Sequence, residues 1–94
     1  MTYSQVHTIV MEVLDEVQTS VAETPVVITD QTRPFGEMQM FDSILAEDTT
    51  VTVLKRLGVT DVAEPNNPFI VDGSGVCVGD VARAFGDLIG ATEA

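Results

Sequence analysis

Apolar residues return at three- and four-residue spacing at both ends of this chain, a period that suits helices and little else. Near the start, Tyr3, Val6, Val10, Val13, Leu14 and Val17 fall on one stripe, with Glu12, Asp15, Glu16 and Gln18 mainly off it. Near the end, Val78, Val81, Ala82, Phe85, Leu88 and Ile89 repeat the pattern, and Gly90 offers a stop. The spacing predicts helices over residues 3–18 and 78–89. Thr2 followed by Gln5 is a capping box for the first. A helix with one apolar stripe must bury it against another element, so the two ends demand a packed interior.

The middle is less regular. Asp42 is a good N-cap for a helix over residues 43–57, with Glu47 and Asp48 towards its start, Lys55 and Arg56 at its end, and Gly58 as a stop. Its interior Thr49-Thr50-Val51-Thr52-Val53 is β-branched, which makes a strand over 49–54 the structural rival. Pro25, Pro34 and Gly36 break up residues 20–41. There Val26-Val27-Ile28 is expected to run as an extended loop that buries these side chains, with Phe35, Met38, Met40 and Phe41 as core anchors. Residues 59–76 are rich in Pro, Asn and Gly, with room for a short helix around Asp61 to Glu64. The expectation is an all-α fold: one domain over 1–94, a small bundle of three main helices and a possible short extra one, with no sheet.

Charge narrows the functional classes. Fifteen acidic residues against four basic ones give −11, a surface that repels nucleic acid and anionic lipid and attracts proteins with basic patches. Acidity that only keeps the chain soluble, or reflects a salt-adapted source, is the plainer reading. Cys77 is the only cysteine, so no internal disulfide can form. No signal peptide and no apolar run of membrane-spanning length is visible. These features favour a cytoplasmic monomer.

Few residues offer catalysis. His7 stands on the first helix with no second His or nearby Cys, so no metal site is expected there. Cys77 lacks a base partner and reads as a small buried or capping residue. Asp72-Gly73-Ser74-Gly75 lacks the alternating ligands and terminal Glu of a calcium loop and reads as a turn. No Ser-His-Asp set or glycine-rich nucleotide loop is credible, and the chain is not expected to be an enzyme. Ser43 is different. A serine at a helix N-terminus has free backbone N–H groups and a positive dipole beside it, which favour an anionic group there. The alternative is that Asp42 and Ser43 merely cap a helix.

The stretch Phe35-Gly36-Glu37-Met38-Gln39-Met40-Phe41-Asp42-Ser43-Ile44-Leu45 resembles the acyl carrier protein family, to which peptidyl and aminoacyl carriers are closely related. Asp42-Ser43-Ile44 is similar to the family's Asp-Ser-Leu tripeptide, which sits where a long loop meets the second helix. Phe35-Gly36 looks like its lead-in. Ser43 to Gly58 suits the length of the second helix, and Val78-Gly79-Asp80-Val81 resembles the opening of the last. The departures are Lys55 and Arg56 where acids are common, Thr49 and Thr50 in place of aliphatics, Cys77 in place of a Thr N-cap, and a Pro-, Asn- and Gly-rich stretch from Pro65 to Val76 in place of a short third helix.

The resemblance implies that Ser43 carries a covalent 4′-phosphopantetheine arm. A phosphopantetheinyl transferase would attach it, and Asp42 would contact that enzyme or its metal. Ile44, Leu45, Glu47 and Asp48 would form the partner face, with Ile44 and Leu45 exposed. The cargo would be an acyl or aminoacyl thioester, presented to loading and transfer enzymes with basic patches in a specialised branch of fatty-acid, polyketide or nonribosomal-peptide synthesis. The competing readings are an acidic interaction module of the same fold without a prosthetic group, and a small acidic inhibitor or antitoxin.

Overall fold

The computed structural model describes residues 1–21, 23–24, 26–38, 41–59, 68–71 and 73–93. The order is α1 (Tyr3–Val21), a single turn α2 (Pro34–Glu37), α3 (Ser43–Arg56), β1 (Ile70–Val71), β2 (Ser74–Gly75) and α4 (Val78–Ile89). Helices dominate. The short helix expected around residues 61–64 lies outside the described residues.

The capping box forms as its sequence dictates. The Thr2 N–H donates to Gln5 Oε1 at 2.9 Å, and the Gln5 N–H donates to Thr2 Oγ1 at 3.2 Å. Val6, Val10, Val13 and Leu14 are buried along one stripe. The helix runs to Val21 rather than residue 18, its last turn supported by the Thr19 and Ser20 hydroxyls, which donate to the carbonyls of Asp15 and Glu16. In α4, Val78, Val81, Ala82 and Phe85 are buried, while Leu88, expected on the stripe, is 65% exposed. α1 packs against both α4 and α3.

Helix prevails over strand in residues 49–54. Ala46, Thr49, Thr50, Val53 and Leu54 are the buried set of α3, at helical spacing. The threonine hydroxyls that would otherwise go unsatisfied in the core turn back on the helix. Thr49 Oγ1 donates to the Leu45 carbonyl at 2.7 Å and Thr50 Oγ1 to that of Ala46 at 2.8 Å. Burial and local bonding together outweigh the β-branched propensity. At the C-terminus Gly58 adopts φ +84°, and the Gly58 and Val59 N–H groups return to the carbonyls of Lys55 and Leu54. Gly90 does the same after α4 at φ +69°, with Gly90 and Ala91 bonded to Asp87 and Gly86. Both ends are Schellman closures that a left-handed glycine allows.

Two expectations are corrected. The first is the absence of a sheet. Ile70 pairs with Gly75 and Val71 with Ser74 in an antiparallel pair, so Ser74 and Gly75, read only as part of a turn, are the return strand of a small β-ribbon. The second is the buried loop at 26–28. The segment is extended, but Val27 is 87% and Val26 38% exposed, and only Ile28 packs against the core. The strand-like backbone of Val26 is satisfied by a side chain instead of a partner strand: buried Gln18 donates Nε2 to the Val26 carbonyl at 2.8 Å and accepts the Val26 N–H on Oε1 at 3.1 Å.

The same loop closes the start of α4. Cys77 holds the N-cap position but its side chain makes no capping bond. The N–H groups of Val78 and Gly79 donate to the carbonyls of Thr32 at 2.8 Å and Asp30 at 2.9 Å, so main chain fills the role of a capping side chain. His7 of α1 reaches Asp30 from the other side, Nε2 to Oδ1 at 2.5 Å.

The core centres on the four phenylalanines. Phe35 meets Phe41 at 5.3 Å between ring centroids, Phe41 meets Phe69 at 5.2 Å, and Phe69 meets Phe85 at 6.4 Å, all edge-on. Met38 and Phe41 are buried and Phe35 half-buried against the core, as anchors should be. Met40 lies outside the described residues. The chain ends also meet: Thr2 and Thr92 form a parallel bridge, with the Tyr3 N–H on the Thr92 carbonyl and the Thr92 N–H on that of Met1, each at 3.0 Å.

Candidate functional site

The site is built at the start of α3. Phe41, held between Phe35 and Phe69, fixes the chain just before the helix. Asp42 then sits in extended conformation as N-cap, its Oδ1 accepting the Leu45 N–H at 2.9 Å. Ser43 follows as the first helical residue and is exposed. Its hydroxyl makes no bond to any described residue, and the cap leaves the N–H groups of Ser43 and Ile44 beside it without an intrahelical partner. No acidic side chain stands in the first turn of α3. The positive end of the helix is thus open at Ser43, and Asp42 is occupied in capping.

Ile44 is 72% exposed and Glu47 and Asp48 are exposed, so these three lie on the outer surface near Ser43. Leu45 departs from expectation. It is half-buried and packs against the core, because the helical turn that exposes Ile44 directs its neighbour inward. Of the two cations at the far end, Arg56 is bound to Glu16 of α1, with Nη1 to Oε2 at 2.5 Å and Nη2 to Oε1 at 2.8 Å. That pairing holds the Glu16 carboxyl below its ordinary range, chiefly by the hydrogen bond from Arg56. Arg56 therefore does little to offset the acidity of α3's outer face.

A concavity of about 230 Å³ lies between α1 and α4, lined by Tyr3, Ser4, His7, Gly79, Ala82 and Arg83. Its polar groups are largely committed. His7 bonds Asp30, the Tyr3 hydroxyl donates to Asp87, and Arg83 pairs with Glu93 at 2.9 Å while lying 4.5 Å over the Tyr3 ring. The Tyr3 phenol is raised above its ordinary value by its bond to the Asp87 carboxylate. Gly86 admits that ring: a Cβ there would stand 2.5 Å from two of its carbons. The cluster reads as a clasp between the first and last helices. Cys77 is half-buried and free. Among the described residues no group of three His, Cys, Asp or Glu could hold a metal ion, and no helix is long and apolar enough to cross a membrane.

The sequence reading passed over Phe69 and the hairpin. The signal was present: Ile70-Val71 is followed by Asp72-Gly73, a pair that favours tight hairpin turns. Phe69 ties the hairpin to the site, its ring against Phe41, two residues before Ser43. Compared with known proteins, the chain matches no family model, no curated protein and no solved structure.

Proposed function

We propose that this chain is a carrier protein of the acyl carrier type, with Ser43 as the attachment point of a 4′-phosphopantetheine arm. One observation carries the reading: Ser43 is an exposed first-turn serine with a free hydroxyl, preceded by an aspartate already engaged as the cap. The residues present fit the group. A phosphodiester on Oγ would meet the N–H groups of Ser43 and Ile44 at the positive end of α3, where the one neighbouring carboxylate, that of Asp42, is engaged by the Leu45 N–H. When bound, the arm supplies the thiol that holds an acyl or aminoacyl group as a thioester.

The chain's own part in loading is limited. Ser43 Oγ attacks the pantetheine-bearing phosphorus of coenzyme A, forming the Oγ–P bond as the pyrophosphate P–O bond breaks and adenosine 3′,5′-bisphosphate departs. The transferase would supply the base that takes the hydroxyl proton and the Mg²⁺ that would neutralise the pyrophosphate. Ile44, Glu47 and Asp48 offer the partner an apolar contact beside two carboxylates, which speed encounter with a basic surface.

Incubation with coenzyme A, Mg²⁺ and a broad-specificity phosphopantetheinyl transferase should raise the intact mass by one arm, and Ser43→Ala should abolish the gain. Modification of Ser43→Ala would show the assignment to be wrong. A wild-type chain left unmodified by every transferase tried, those of its own source included, would favour the interaction module, for which Ile44, Glu47 and Asp48 serve without an arm.

A further inference from the structure

We infer that the β1–β2 hairpin is the second half of the surface on which the modifying enzyme docks, and that this enzyme offers it an apolar pocket rimmed by basic side chains. The inference rests on the carrier reading and extends it to an element on which that reading does not depend. A ribbon of two residues per strand is marginal by itself. This one is pinned twice to the segment leading into Ser43. Phe69, immediately before β1, lies against Phe41. Gly75 of β2 lies against Phe35, so closely that a Cβ would stand 3.1 Å from the Phe35 carbonyl oxygen.

Pinning at the base leaves the outer part of the hairpin in water. Phe69 is fully buried, Ile70 is 36% exposed, and Val71, the last residue of β1, is 56% exposed. Isolated exposed apolar residues need no explanation. Here, however, Ile70 and Val71 directly follow Phe69, whose ring meets Phe41 two residues before Ser43, and Ile44, 72% exposed, directly follows Ser43. Exposed carboxylates accompany both groups: Glu47 and Asp48 on α3, and Glu37 on α2, the turn that β2 packs against. Charge selects the occupant. A second copy, also at −11, is repelled, whereas a partner with basic side chains around an apolar pocket matches both components.

The test is the kcat/KM of arm transfer for wild type, Val71→Glu, Val71→Ser, Ile44→Glu and Leu88→Glu, with a thermal melt of each variant to verify folding. Val71→Glu should lose about tenfold or more and Val71→Ser about threefold, as expected for removing or charging an apolar contact. Leu88→Glu, which charges an exposed apolar residue on α4, should stay within about twofold. If Ile44→Glu is slow but both Val71 variants match wild type, the hairpin is not part of the interface. If Leu88→Glu is as slow as Val71→Glu, added charge alone explains the loss and the inference fails. A wild-type chain that accepts no arm overturns the carrier reading and this inference with it.

Discussion

Replacing Phe69 tests whether the aromatic chain is what holds the fold. Phe69 is fully buried and the only ring with buried aromatic neighbours on both sides, Phe41 and Phe85. A domain of this size has roughly 5–14 kcal/mol of stability in all. Deleting a buried phenylalanine ring costs about 3–5 kcal/mol, counting lost transfer energy and the cavity left behind. Phe69→Ala should therefore remove about a fifth or more of the total. Phe69→Leu keeps most of the apolar volume but loses both edge-on pairs, at about 0.5–1.5 kcal/mol each, so about 1–3 kcal/mol is expected. Phe35→Leu, at a half-buried position with one ring contact, should cost about 1 kcal/mol or less. Urea unfolding followed by circular dichroism at the helical band measures all three, and suits a chain without tryptophan. The expected order is Phe69→Ala, Phe69→Leu, Phe35→Leu. If Phe69→Ala loses under about 1 kcal/mol, or no more than Phe35→Leu, the rings do not form the centre of the core.

Asp42 and Ser43 should separate stability from function. Asp42→Ala loses the bond to the Leu45 N–H and should cost about 1 kcal/mol, or roughly 4–8 °C in Tm, while Ser43→Ala should leave Tm nearly unchanged because its hydroxyl bonds no described residue. Acid should selectively remove the Glu16–Arg56 contribution. The folded-state carboxyl is lowered, so its stabilisation is present above the unfolded carboxylate range and fades as pH falls through the folded value. The Tm gap between wild type and Glu16→Gln should accordingly shrink from roughly pH 7 to roughly pH 3, and a constant gap would refute the role of the pair. Tyr3 runs the opposite way. Its phenol is raised above 10.0 by Asp87, so its contribution is complete below that value and is lost as pH rises through the folded one, a loss that Tyr3→Phe should not show.

The helices were legible where side-chain period and local chemistry agree. Thr2 and Gln5 announce the start of α1, and Asp42 and Gly58 bracket α3. Residues 49–53 were ambiguous because propensity and burial pull apart there, and the buried spacing that includes Ala46 and Leu54 decides for helix. What escaped were features whose partners are distant in sequence. Nothing near Val26 foretells that Gln18 will bond both its main-chain groups, and nothing in Cys77 foretells a cap made from the carbonyls of Asp30 and Thr32. The exposure of Ile44, Glu47 and Asp48 was expected only from the family resemblance, which also put Leu45 on the surface, whereas the helical phase of α3 turns Leu45 inward.

The parallel bridge between Thr2 and Thr92 has a bearing on how the chain folds during synthesis. α1 is made well before α4, yet its apolar stripe is covered mainly by α4. At ribosomal speed the first helix must wait on the order of ten seconds for that cover. Native pairing then requires closure of almost the full chain, and topologies dominated by such distant contacts fold more slowly than bundles of adjacent helices. Slow production, or a stall before the final helix, leaves Val6, Val10, Val13 and Leu14 uncovered and open to chaperones or to self-association.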